Sequence, residues 1–142
     1  MARALEQAQL AALKGEVPVG AVLVRDGGLW TEGHNLTVTR WDPTAHAEVV
    51  VIRRAAALQR DWRLEDMTLY VTLEPCTHCC GAILLGRIPR VVFGVPDLKA
   101  GMAGSLGNLL QDSRLNHRAR VTAGVLADSS SRLLKDFFRQ RR

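Results

Sequence analysis

The stretch Thr68-Leu69-Tyr70-Val71-Thr72-Leu73-Glu74-Pro75-Cys76-Thr77-His78-Cys79 decides how this chain is read. Its first six residues are β-branched, aromatic or leucine, the composition of a buried strand. Pro75 ends that strand and opens a helix, which is predicted over residues 76–85. Both motif cysteines then fall in the first helical turn, where the positive end of the helix dipole favours thiolates. The next strand reads at Arg90-Val91-Val92-Phe93-Gly94, so strand, helix and strand form a parallel crossover.

Working outward, residues 4–14 repeat Ala and Leu at helical spacing and stop at Gly15. Residues 17–24 are apolar and β-branched, a buried strand. Asp26-Gly27-Gly28 is a hairpin turn, and Leu29 to His34 forms the returning strand. The polar run from Thr37 to Thr44, with Pro43 in it, reads as a loop. A helix follows over residues 45–58, with His46 and Glu48 in its first turn. Beyond Gly94 come a loop rich in glycine (Gly101, Gly104, Gly107), a short strand near Val121 and a last helix over residues 126–139. Strands alternating with helices predict a single α/β domain over residues 1–142, with a mixed sheet and helices on both faces. In such sheets the site lies beyond the strand ends, where helices begin.

Composition narrows the classes of function. Hydrophobic residues make up 47% and charged residues 23%, ordinary for a soluble globular chain. A net charge of +5 favours a polyanionic partner. Aromatics are only 5%, too few for a broad base-stacking platform. Three cysteines, two of them at metal-like spacing, argue against a disulfide framework and for a reducing compartment. With no secretory signal and no apolar run of about 18 residues, a cytoplasmic location without a membrane partner is expected.

Two motifs carry the chemistry. His46-Ala47-Glu48 supplies an imidazole and a carboxylate, and Cys76-Thr77-His78-Cys79 supplies two thiolates. One His and two Cys fill three corners of a zinc tetrahedron and leave the fourth for water, the arrangement of a catalytic zinc. Glu48 is close enough in sequence to act on that water without binding the metal. A structural site would need Cys80, His78 or His34 as fourth ligand. Cys80 follows Cys79 directly and points about 100° away around a helix, a poor match to one metal. A redox cysteine pair would leave His46 and Glu48 without a task.

The runs Val17-Pro18-Val19-Gly20-Ala21-Val22, Asp42-Pro43-Thr44-Ala45-His46-Ala47-Glu48, Leu69 to Cys76 and Arg90 to Gly94 closely resemble the bacterial tRNA-specific adenosine deaminases. The likeness continues through Asp97-Leu98-Lys99, Gly104-Ser105, Asn116-His117 and Asp136 to Arg139, nearly the whole chain. It implies the cytidine deaminase-like three-layer sandwich, with a central mixed five-stranded sheet, and a homodimer. It also implies conversion of adenosine to inosine at the wobble position of an arginine tRNA anticodon, by zinc-hydroxide attack at adenine C6. Carried over by position, it implies one zinc on His46, Cys76 and Cys79 and a proton shuttle at Glu48. Asn35 matches a residue that contacts the target nucleoside. Asp97 and Lys99 match a loop that meets the anticodon, and Phe138 and Arg139 match a helix bordering the RNA. Thr77, His78 and Cys80 depart from the family's usual hydrophobic residues, and Val95 from a smaller one. Two other readings remain at this level: a small-molecule guanine, cytosine or nucleoside deaminase, and a non-catalytic zinc-dependent RNA-binding module.

Overall fold

The computed structural model describes residues 1–141. Its elements run in the order α1 (Ala2–Leu13), β1 (Gly20–Arg25), β2 (Gly28–His34), α2 (Thr37–Arg40), α3 (Ala47–Gln59), β3 (Met67–Leu73), α4 (Thr77–Leu85), β4 (Arg90–Val95), a 3-10 turn (Leu109–Gln111), β5 (Arg120–Thr122) and α5 (Ala127–Arg139). The five strands lie in the order β2-β1-β3-β4-β5. β1 pairs antiparallel with β2 and with β3, whereas β3–β4 and β4–β5 are parallel. This is the mixed sheet expected from a hairpin followed by crossovers. Asp26 and Gly27 turn the hairpin with φ of 50° and 75°, the type I′ geometry that suits strand twist.

Helices cover both faces. α1 and α5 pack on one side, and α3 and α4 on the other. On the second side Ala21, Leu23, Leu69, Val71, Val91 and Phe93 meet Val51, Ala55, Cys80 and Ile83 in one core. On the first side α1 lies so close to β1 that a Cβ on Gly20 would fall 2.0 Å from the Ala4 carbonyl oxygen. Only glycine permits that approach.

Three local expectations change. β1 begins at Gly20, not residue 17, because Val17–Val19 closes a tight turn around Pro18, with Val19 N–H donating to Val17 O at 2.8 Å. The stretch 37–44 is not all loop: Thr37–Arg40 makes a helical turn. Its free N–H groups are met from far along the chain, by Glu16, which accepts from Val38 N (3.1 Å), Thr39 N (2.6 Å) and the Thr37 hydroxyl (3.2 Å). Finally, His46 stands in extended conformation just before α3 and not within its first turn. The N-termini of α3 and α4 converge at the C-terminal end of β3, where the site forms.

Candidate metal centre and active site

Each ligand candidate is delivered by a strand or loop entering a helix. Cys76 precedes α4 in extended conformation and Cys79 lies in its first turn; His46 precedes α3. His46 Nδ1 is 3.6 Å from Cys76 Sγ and 3.4 Å from Cys79 Sγ, and the two sulfurs are 3.7 Å apart. A tetrahedral zinc with bonds of about 2.3 Å to sulfur and 2.0–2.1 Å to nitrogen requires about 3.8 Å between sulfurs and about 3.6 Å from sulfur to nitrogen. The three edges therefore match a zinc triangle, and the sulfurs are far too distant for a disulfide, about 2.05 Å. Among the described residues these three side chains form the group able to hold a metal.

Electrostatics agree. Hydrogen bonds from Cys79 and His46 bring the Cys76 thiol down to about 3. Cys79, which donates to Cys76 and is buried beside it and Glu48, is pushed up. His46 is raised by its hydrogen bond to Cys76. Two thiolates beside a carboxylate need a cation between them, which a divalent metal supplies.

Glu48 points from the first turn of α3 and is only 4% exposed. Burial pushes its carboxyl up, and the thiol of Cys79 is within hydrogen-bonding reach. A buried base with a raised pKa beside a metal is suited to proton transfer. Cys80 is fully buried, its thiol pushed up to about 12 by burial, with Sγ 3.6 Å from the Pro75 carbonyl oxygen. It packs as a small apolar residue. His78, on the exposed side of α4, lies edge-to-face with His46, and its Nε2 is 3.3 Å from Thr44 O. His34 instead joins Gln7 (2.9 Å) and Lys14 (3.3 Å).

The remaining site residues divide. Asn35 is buried beside α3, where its Oδ1 accepts Ala47 N–H at 2.9 Å and so fixes the start of the helix that carries Glu48. Asp97 does not pair with Lys99: its Oδ1 accepts the N–H groups of Lys99 (2.9 Å) and Ala100 (3.2 Å) and closes its own turn. Lys99, Phe138 and Arg139 are brought together in a cleft of about 600 Å³, shared with Leu134, Lys135 and Arg141. Of the two adjacent phenylalanines Phe137 faces the core and Phe138 is half exposed. Arg139 also reaches Asp136, at 3.6 Å. Lys135 and Glu74 escaped the sequence reading. Helical spacing places Lys135 one turn from Arg139, a signal that was available. Glu74 carried none beyond its place before Pro75.

Residues 1–142 match the family described as MafB19-like deaminase. The chain is 49% identical over its full length to the tRNA-specific adenosine deaminase of Bacillus subtilis (strain 168), covering 88% of that protein. With the enzyme of the same description from Haemophilus influenzae (strain ATCC 51907 / DSM 11121 / KW20 / Rd) it shares 50% identity, again over the full length and covering 83% of the relative. The chain belongs to the tRNA-specific adenosine deaminases. A solved tRNA:A34 deaminase, studied for A-to-I editing at the wobble position of transfer RNA, superposes with a TM-score of 0.91 at 40% identity. That match covers 94% of this chain and 97% of the other. The cytidine deaminase-like fold expected from the resemblance is thus the observed one, and the protein is a hydrolytic deaminase.

Proposed function

We propose that this deaminase converts adenosine to inosine at the wobble position of an arginine tRNA anticodon, with one zinc held by His46, Cys76 and Cys79. The observation that carries the reading is the 3.4–3.7 Å triangle of ligand atoms with a buried, non-ligating carboxylate beside it. Zinc bound there would supply a water that ionises near neutral pH. Glu48 takes a proton from the attacking water and delivers it to adenine N1, which makes C6 electrophilic. It then protonates the departing amine, so ammonia leaves and C6 ends as a carbonyl. Asn35 holds the start of α3 through its carbonyl oxygen, and its side-chain NH2, with no partner among the described residues, is available to the target nucleoside.

The RNA reading draws on the net charge of +5, on Lys99, Lys135, Phe138, Arg139 and Arg141 around one cleft, and on the relatives' names. An unpaired anticodon base costs little to extrude into a pocket. Asp97 contributes to RNA binding through the turn it closes. A homodimer is part of the proposal: Val38 in α2 and Trp41 directly after it, both exposed, give a second copy apolar surface to cover. No helix of the described residues is long and apolar enough to cross a membrane. Three free cysteines suit a reducing cytoplasm.

The test is inosine formation by the zinc-loaded protein in purified arginine tRNA, with other tRNAs carrying adenosine at the wobble position and free nucleosides as competitors. Preferential conversion in arginine tRNA is expected. Comparable turnover of free adenosine, cytidine or guanine would favour a small-molecule deaminase; binding without turnover would favour a non-catalytic module.

A further inference from the structure

Glu74 takes no part in metal binding or proton transfer as proposed above, yet it is 2% exposed and accepts four hydrogen bonds. The donors are Asp97 N (2.9 Å), Ala103 N (3.0 Å), Ser105 N (2.9 Å) and the Ser105 hydroxyl. All belong to one loop, residues 97–105. The same loop is fastened to the two residues after Glu74. Met102 N–H donates to Pro75 O at 2.9 Å, and Cys76 and Gly101 pair as a single antiparallel bridge. A Cβ on Gly101 would sit 2.3 Å from Glu74 Cδ and 2.6 Å from Asp97 O, so glycine is required for the carboxylate to enter the loop.

The loop so held presents Leu98, 78% exposed, and the exposed Lys99 at its tip. Across the cleft stands the face of α5 with Lys135, Phe138 and Arg139, and Arg141 beyond it. A second cleft of about 400 Å³, lined partly by Leu73, Val95 and Asp97, continues from it toward the end of β3. The acids here are committed: Asp97 to its own turn, Asp136 to Arg139. Lys135, Arg139, Arg141 and the Phe138 ring therefore stand across the groove from Lys99, whose loop is set by a single buried carboxylate. Phosphates with an adjoining unstacked base fit that chemistry.

We propose that Glu74 is a positioning residue for the RNA: by clamping residues 97–105 to the Cys76 turn, it sets the span between Lys99 and α5 across which the strand flanking the target base is gripped. This rests on the RNA reading given above. In Glu74→Gln one acceptor oxygen becomes an NH2 and the donors that met it lose their partner, so the loop loosens while Cys76, just before α4, and Cys79, in its first turn, keep their places. The effect falls on RNA capture and not on the chemical step.

The experiment uses zinc-loaded Glu74→Gln, Ser105→Ala and Gly101→Ala with an anticodon stem-loop carrying adenosine at the wobble position. Glu74→Gln is expected to weaken Kd and raise KM by about ten-fold or more, the scale of a lost buried hydrogen bond. Its kcat at saturation stays within about three-fold of the parent and its zinc content is unchanged. Amides of residues 97–105 exchange faster in deuterium oxide. Ser105→Ala and Gly101→Ala shift Kd in the same direction, and they carry the test if Glu74→Gln does not fold. Unchanged Kd in the folded variants, while the parent binds the stem-loop, overturns the proposal. So does parallel loss of kcat and zinc, which would make Glu74 a support of the metal turn alone. A parent that fails to bind the stem-loop overturns the RNA reading and this inference with it.

Discussion

At the scale of single residues the site separates groups that look alike in the sequence. Glu48 and Glu74 are both buried glutamates, but Glu48 faces the thiols with no backbone donor beyond its own, whereas Glu74 is wrapped by a loop. Glu48→Ala is expected to retain zinc, fold and RNA affinity while turnover falls by at least the ~10²–10⁴-fold typical of a lost general acid–base group. Inosine formation and zinc analysis on one preparation check this; activity within a few-fold of the parent would rule out the mechanism. The cysteines separate in the same way. Cys76→Ala should lose zinc, whereas Cys80→Ala should keep it, because Cys80 Sγ turns to Pro75 O. Equal loss of zinc in both would return the site to a structural knot. The grouping of His46, Cys76 and Cys79, with Glu48 buried beside them, was legible because each motif is local and set by residue type and spacing. Asn35 and Asp97 were legible as polar positions only. Their hydrogen bonds, to Ala47 N and to the Lys99 and Ala100 amides, depend on how the backbone turns.

At the scale of elements, α2 is the clearest case of tertiary override. Its four residues include two β-branched threonines and a valine, poor material for an isolated helical turn. Glu16 makes the turn possible by satisfying the donors at its start. Burial alone would raise the Glu16 carboxyl, but the Thr39 and Val38 amides and the Thr37 hydroxyl outweigh it and hold it below its ordinary value. A carboxyl lowered on folding adds stability that is complete above its unfolded value of 4.5 and is lost as pH falls through the folded value. Glu16→Gln should therefore cost about 1–3 kcal/mol at pH 7. The difference from the parent should shrink as pH drops below 4.5, because protonated Glu16 then resembles the variant. Urea unfolding at a series of pH values measures it, and a pH-independent difference would refute the assignment. The long helices α1, α3, α4 and α5 and the strands β3 and β4 were legible within a few residues, since their apolar spacing and Gly or Pro boundaries are local signals.

At the scale of the whole molecule, cations from the 97–105 loop and from α5, far apart in the chain, close around one cleft. Binding of the stem-loop should weaken steeply with salt, since each phosphate contact releases counterions. Lys99→Ala with Lys135→Ala should flatten the slope of log Kd against log salt by about two, one contact per lysine. An unchanged slope would move the RNA to another surface. Sedimentation of the zinc-loaded protein tests the homodimer, with Trp41→Ser expected to weaken it. The amino-acid sequence by itself determined the alternation of strands and helices, the mixed sheet and the His46, Cys76 and Cys79 group able to hold a metal, with Glu48 beside it. Those properties reside in periodicity and in short motifs whose chemistry is carried by residue type. Only the tertiary structure decided that the three ligand atoms close to 3.4–3.7 Å, that Glu16 builds α2, and that Glu74 ties the loop to the metal turn. The physical reason is that a buried carboxylate takes whatever donors the fold brings to it, and those donors lie more than twenty residues away along the chain.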